Sequence, residues 1–427
     1  MDSLQNAHFF PLSSQGNIYT LTSLRLANGT NRLLVASLRR EVICFEYQEN
    51  TAGMLVPTAK EISFTYLPSG AEIISMAAFN KSETNNDFVI GITIIKNSND
   101  LHALETYLNI YSGWEPSLEF NMESISQNCV NNIELKFIPY HLTYTFLISW
   151  EVTQINKEVL FLLSGSDHKI HIYQENKTNH VYKEIDHNDI FPEFFSPPSV
   201  VIWMDVYYYN DYEERITAFG CECGYVRLCR INVKSKEIMF NFSTRFDNTI
   251  SSVRIYPNKY DVKCPDFIKE KYRNEIITRR NPILNLIVTN TILPAVFFAD
   301  ILHYGLKKYG TLPRYELTSV LASAEIADID FDGCDEILIG NSNQEIIAYK
   351  LDSSNGCWCI SALKRFPTPV LDLKYVDITG DGVKELVVLT MKGVHILQHD
   401  PRFIQEILEE KLKVLAIPNI DVLSIKE

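Results

Sequence analysis

The stretch Asp328-Ile329-Asp330-Phe331-Asp332-Gly333-Cys334-Asp335-Glu336 decides how this chain is read. It returns as Asp377-Ile378-Thr379-Gly380-Asp381-Gly382-Val383-Lys384-Glu385. The copies start 49 residues apart, and each runs into a short apolar segment, Ile337-Leu338-Ile339-Gly340 or Leu386-Val387-Val388-Leu389. Oxygen-bearing side chains at loop positions 1, 3, 5 and 9, with glycine at position 6, suit a turn folded around a hard cation. In the first copy these are Asp328, Asp330, Asp332 and Glu336, with the Cys334 carbonyl available between them. In the second, Thr379 replaces one carboxylate and leaves Asp377, Asp381 and Glu385, so Ca²⁺ is expected to bind there more weakly. Without a cation, the same carboxylates are expected to cap backbone N–H groups of the turn.

A helix-loop-helix calcium site is the rival reading, and it needs a bidentate Glu at position 12 between flanking helices. Position 12 is Ile339 in one copy and Val388 in the other, inside apolar runs that read as strands. The loops instead resemble FG-GAP-type repeats, which join strands in β-propeller blades. Glutamate at position 9 is longer than the aspartate usual in those loops.

A repeat seen twice is sought elsewhere. The unit after each loop is an apolar strand, a polar turn and a second strand rich in β-branched and aromatic residues. Similar hairpins begin near Leu33, Phe88, Phe161, Thr217 and Leu286, ahead of those at Ile337 and Leu386. Seven hairpins at intervals of roughly 50–70 residues fit a ring of four-stranded blades. A lone blade leaves apolar faces wet, so the ring must close. The fold expected is therefore all-β, a seven-bladed β-propeller over 1–400. Residues 401–427 form a C-terminal helix and tail packed on it: from Pro401 onward Phe403, Ile404, Ile407, Leu408 and Leu412 fall at helical spacing.

Composition narrows the function. The 427 residues are 46% hydrophobic and 11% aromatic, enough to build a core. No apolar run is long enough to cross a bilayer, and the N-terminus lacks a secretory leader's basic start and apolar stretch. Nine cysteines are scattered without a Cys-x-x-Cys pair, which points to buried thiols in a reducing compartment. A net charge of −14 argues against a nucleic-acid partner. The basic cluster from Lys269 to Arg280 is diluted by glutamates and reads as a solvated insertion.

Catalytic signatures are missing. The chain carries no phosphate-binding glycine loop, no Gly-x-Ser-x-Gly elbow and no His-Glu-x-x-His. His168 and His171 fall on one hairpin at a spacing that points them apart, a poor metal pair. No cluster of titratable residues is expected in the ring's channel, and no cofactor is required. The insertion after Gly113 is different. Trp114, Glu115 and Pro116 form a turn in a loop too long for a simple hairpin, which makes them the candidate partner-binding residues.

Several stretches, in order along nearly the whole chain, resemble the kaptin family. They include Ala71-Glu72-Ile73-Ile74-Ser75, Val89-Ile90-Gly91-Ile92-Thr93, Phe161-Leu162-Leu163-Ser164-Gly165, Gly224-Tyr225-Val226-Arg227 and Gly393-Val394-His395-Ile396-Leu397-Gln398-His399. The resemblance implies a non-catalytic scaffold subunit of the KICSTOR complex. That complex recruits the GATOR GTPase-activating complex to the lysosomal surface and so restrains TOR signalling on nutrient deprivation. Implied partners are a second FG-GAP propeller protein and the larger KICSTOR subunits, with GATOR indirect. The resemblance also implies an alternative role as an actin-associated protein of lamellipodia and similar projections. The segment after His399 departs most from the family's longer basic C-terminal helix.

Overall fold

Runs such as Leu33-Leu34-Val35-Ala36 are apolar at every position because both faces of the strand are covered. Leu33 and Val35 pack with Val387 and Leu389, whereas Leu34 and Ala36 pack with Ile73 and Ile90 on the other side. Period-two alternation thus sends neighbouring residues into two different cores. The computed structural model describes residues 1–423 except 2, 52, 83, 98, 101–103, 114–119, 151–154, 187–189, 259–281, 293, 314–318, 353 and 355, with backbone alone from 414. The Trp114-Glu115-Pro116 turn and the Lys269–Arg280 cluster lie outside the described residues.

The strands form seven antiparallel four-stranded sheets, the blades of a propeller. Each of the seven hairpins read from the sequence supplies the two middle strands of one blade. Each of the seven core clusters joins two neighbouring blades, so the apolar burial that stabilises the fold lies between blades. Where blades press closest, side chains are excluded: a Cβ on Gly340 would come within 2.5 Å of Val370 Cγ1 of the next blade.

The innermost strands, in ring order, are Gly16–Arg25, Glu72–Asn80, Pro139–Trp150, Val201–Tyr209, Ile250–Pro257, Leu321–Ala327 and Val370–Val376. All seven shift register near their starts, an irregularity repeated in every blade. Closure comes from the N-terminus. Leu4–Pro11 is the outer strand of the seventh blade and pairs antiparallel with Gly393–His399, Leu4 opposite His399 and Pro11 opposite Gly393. The first and last blades are thereby sewn together, since the strand that completes the seventh blade leads straight into the first.

The C-terminal helix runs Pro401–Leu423. Its root meets the seam: Phe403 stacks on His399 at 6.5 Å and lies 6.3 Å from Phe331. Ile404 and Ile407 are half-buried, whereas Leu408 and Leu412 are exposed, so the first turns seat the helix and the rest of its described side chains face solvent. A short helix, Met122–Gln127, is capped by Asn121 and buries Met122 and Ile125, which packs down the latter part of the Gly113–Cys129 insertion. No helix among the described residues is long and apolar enough to cross a membrane.

Candidate functional site

Both acidic loops link the first and second strands of their blades, the sixth and seventh. The backbone follows one pattern in each. Positions 4 and 6 are left-handed, Phe331 and Gly333 at φ 57° and 89° in the first loop and Gly380 and Gly382 at 79° and 88° in the second. The left-handed positions aim backbone N–H groups inward at the carboxylates. Gly333 N–H donates to Asp328 Oδ2 at 3.0 Å and Cys334 N–H to Asp332 Oδ1 at 2.7 Å. Gly380 and Gly382 N–H donate to the two oxygens of Asp377 at 2.6 and 2.9 Å. The glutamate at position 9 closes each loop across its base: Glu336 Oε2 accepts from Ile329 N–H at 2.9 Å, and Glu385 Oε2 from Ile378 N–H at 2.8 Å. The glutamate's extra length is what lets it reach back from the first residue of a buried strand.

Burial pushes both glutamates up to about 7, and the neighbouring aspartates push the same way. The surroundings then diverge. In the first loop Lys350 Nζ bonds Asp330 and lies 2.8 Å from Asp332 Oδ2 and 3.2 Å from Glu336 Oε1. Desolvation opposes the ammonium, but the bonds from Asp330 and Asp332 outweigh it and push its pKa up. The carboxylate oxygens of Asp328, Asp330 and Asp332 come within 4.8 Å of one another, and Asp328 Oδ1 is buried without a hydrogen-bond partner. In the second loop Gln398 takes the place of Lys350. It follows Leu397, the partner of Leu386, as Lys350 follows Tyr349, the partner of Ile337. Its amide turns away to donate to Tyr47 Oη at 3.0 Å. Glu385 Oε1 instead accepts from Thr379 Oγ1 at 2.9 Å.

The loops are joined through the seam. Tyr375 Oη donates to the Asp328 carbonyl at 3.3 Å and lies 3.1 Å from His399 Nε2, while Phe331 packs on the His399 ring at 4.7 Å. Burial, followed by the positive N-terminus, lowers His399 to about 4, so the ring is neutral near pH 7. The sequence pattern of the loops was legible, but Lys350, Tyr375 and His399 were not. The signal was there for Lys350: once the hairpin register is set, it stands opposite Glu336.

The channel corrects one expectation. Titratable residues do converge there, around a cavity of about 480 Å³. Asp205, Arg254, Glu325, Asp372, Lys374 and His141 come from five different innermost strands, so no local motif announces them. Desolvation raises Asp205, Glu325 and Asp372 and lowers Lys374. Desolvation also opposes the Arg254 guanidinium, yet Glu325, Asp205 and Asp372 outweigh it and raise its pKa. Arg254 packs over Trp203, with its carbon 5.2 Å from the ring centre. These groups have structural bonds. Ile255 N–H donates to Asp205 Oδ2 at 2.7 Å, Leu373 N–H to Asp372 Oδ1 at 2.9 Å, and Met204 N–H to His141 Nδ1 at 3.2 Å. Burial lowers His141 to about 3, which keeps it an acceptor rather than a cation.

Of the two histidines set aside as a metal pair, His168 sits in a left-handed turn, φ 63°. His171 is buried, stacked on Phe137 and held between Asp167 and Glu184.

The family described as "KICSTOR complex protein kaptin" matches residues 4–409. A Mus musculus protein of that same description is 35% identical over 395 residues, covering 92% of this chain and 87% of that one. Among solved structures, the Dos1 propeller superimposes with a TM-score of 0.50 at 8% identity, over 93% of this chain and 96% of that one. The last likeness is one of fold alone.

Proposed function

The chain belongs to the kaptin family, and from that membership we propose that it is a non-catalytic scaffold subunit of a KICSTOR complex. The observation that carries the proposal is the extent of the match. Residues 4–409 take in the closing strand, all seven blades and the root of the C-terminal helix, so what is shared is the whole ring and not one blade. A closed ring offers its edges and two faces as separate rigid surfaces, which suits a subunit that holds other subunits in register. The channel groups are engaged by backbone donors and each other, which supports a structural reading of them.

On this proposal the subunit pairs with a second propeller, the larger subunits bind the pair, and the assembly holds the GATOR complex at the lysosomal surface to restrain TOR signalling. The Trp114-Glu115-Pro116 turn is the first proposed contact. The actin-associated reading is opposed by the −14 net charge, since filaments are themselves acidic. Affinity purification with mass spectrometry from fed and starved cells tests the proposal. Stable recovery of a second propeller and larger subunits supports it. Recovery of the chain alone, or with actin filaments in a co-sedimentation assay, overturns it.

A further inference from the structure

We infer that the resident cation of the first acidic loop is the chain's own Lys350 ammonium, so this loop keeps its shape without Ca²⁺. A calcium ion held by Asp330, Asp332 and Glu336 would lie about 2.3–2.6 Å from their oxygens. Lys350 Nζ already bonds Asp330, lies 2.8 Å from Asp332 Oδ2 and 3.2 Å from Glu336 Oε1. Ion and ammonium therefore compete for one place, and two cations cannot share it at that separation. The lysine arrives from the third strand of the blade by cross-strand register. It brings no loss of a third body's freedom, so Ca²⁺ would have to displace a tethered cation before it could enter.

The second loop shows what the same turn does without that ammonium. With Gln398 in the lysine's place and turned to Tyr47, the loop has one carboxylate fewer, and Thr379 Oγ1 donates to Glu385. One loop draws its carboxylates to an internal charge, the other closes on internal hydrogen bonds. In the first loop Asp328 Oδ1 and Glu336 Oε1 are buried without a hydrogen-bond partner, and they mark where an external cation would enter if Lys350 were removed. Holding the first loop also holds Phe331 against His399 and Phe403, so the lysine fixes the seat of the C-terminal helix.

The test compares the full-length protein with Lys350→Met and Lys350→Arg, each freed of metal by a chelator and titrated with Ca²⁺ by calorimetry and thermal melting. Wild type and Lys350→Arg are expected to melt alike and to show no Ca²⁺ heat or shift assignable to this loop. Lys350→Met is expected to melt roughly 1–2 °C lower and to recover with the logarithm of Ca²⁺ concentration. Adding Asp330→Asn to Lys350→Met is expected to abolish that recovery, which ties the response to this loop. Two results overturn the inference: Ca²⁺ binding by wild type that Asp330→Asn removes, or a Lys350→Met protein that melts as wild type and ignores Ca²⁺. If Lys350→Met proves insoluble, Lys350→Gln is titrated by the same criteria.

Discussion

The loops of the sixth and seventh blades share a backbone, a closing glutamate and two left-handed positions, yet they settle their negative charge differently. The first gathers Asp328, Asp330, Asp332 and Glu336 and answers them with one ammonium. The second drops a carboxylate and answers with donors from Ile378, Thr379, Gly380 and Gly382. The difference teaches that a repeat conserves geometry while its chemistry is set by whichever strand lies opposite. A loop that looks like a metal site in one dimension can carry a cation of its own chain in three.

The largest expected effect does not separate the loops and so checks that their blades are equivalent. Ile339 and Val388 are fully buried in separate inter-blade cores. Replacing either by Asp strands a charge there and should cost on the order of 4 kcal/mol or more, read as loss of soluble protein or a collapsed urea midpoint. Similar losses at both sites are expected, since each strand is dry on both faces.

Lys350→Met against Gln398→Met separates them. Losing the ammonium leaves adjacent carboxylates unpaired. Since Asp330 and Asp332 are 43% and 41% exposed, screening holds the cost to about 1–2 kcal/mol. Gln398→Met should stay within about 0.5 kcal/mol, because it removes one amide bond to Tyr47. Paired denaturation curves check this, and equal costs would break the comparison.

Protonation offers a gentler probe. Glu336 and Glu385 sit at about 7 in the folded chain, above the ordinary 4.5. The native state therefore binds more protons than the unfolded one between those values. Stability should be fullest below about 4.5 and be lost as pH rises through about 7. Unfolding at pH 5 and pH 8 should show this slope, and Glu336→Gln and Glu385→Gln should each flatten part of it. Lys350→Met should steepen the contribution of Glu336 and leave that of Glu385 alone.

The smallest effect concerns position 4. Phe331 holds a left-handed conformation that costs a side-chain-bearing residue roughly 1 kcal/mol, and Gly380 holds the same conformation freely. Phe331→Gly relieves that cost and loses the contacts to His399 and Phe403, so net stability should move by less than about 1 kcal/mol. Hydrogen exchange across 401–408 should nonetheless speed up. Gly380→Phe should be worse tolerated, since a Cβ there meets Thr30 Cγ2 at 2.7 Å.

The middle strands of every blade were legible because burial on both faces leaves runs such as Ile337-Leu338-Ile339 with no polar interruption. The other strands were not. Outer strands such as Leu55–Ile62 and Ile238–Arg245 are largely solvated, and inner strands carry the channel's Asp205, Arg254, Glu325 and Asp372. Leu4–Pro11 carries Gln5, Asn6 and His8, and its partner lies at the other end of the chain, a pairing no local pattern displays.

The sequence by itself determined the repeat, the blade number, the loop carboxylates and the family, because each is written in residue type and spacing along the chain. Only the tertiary structure decided which cation the first loop holds, what the channel contains and how the ring is sewn shut. Those depend on strands that meet across turns or across the ring, where register and closure choose the neighbours: Lys350 beside Glu336, Arg254 beside Glu325 and Leu4 beside His399.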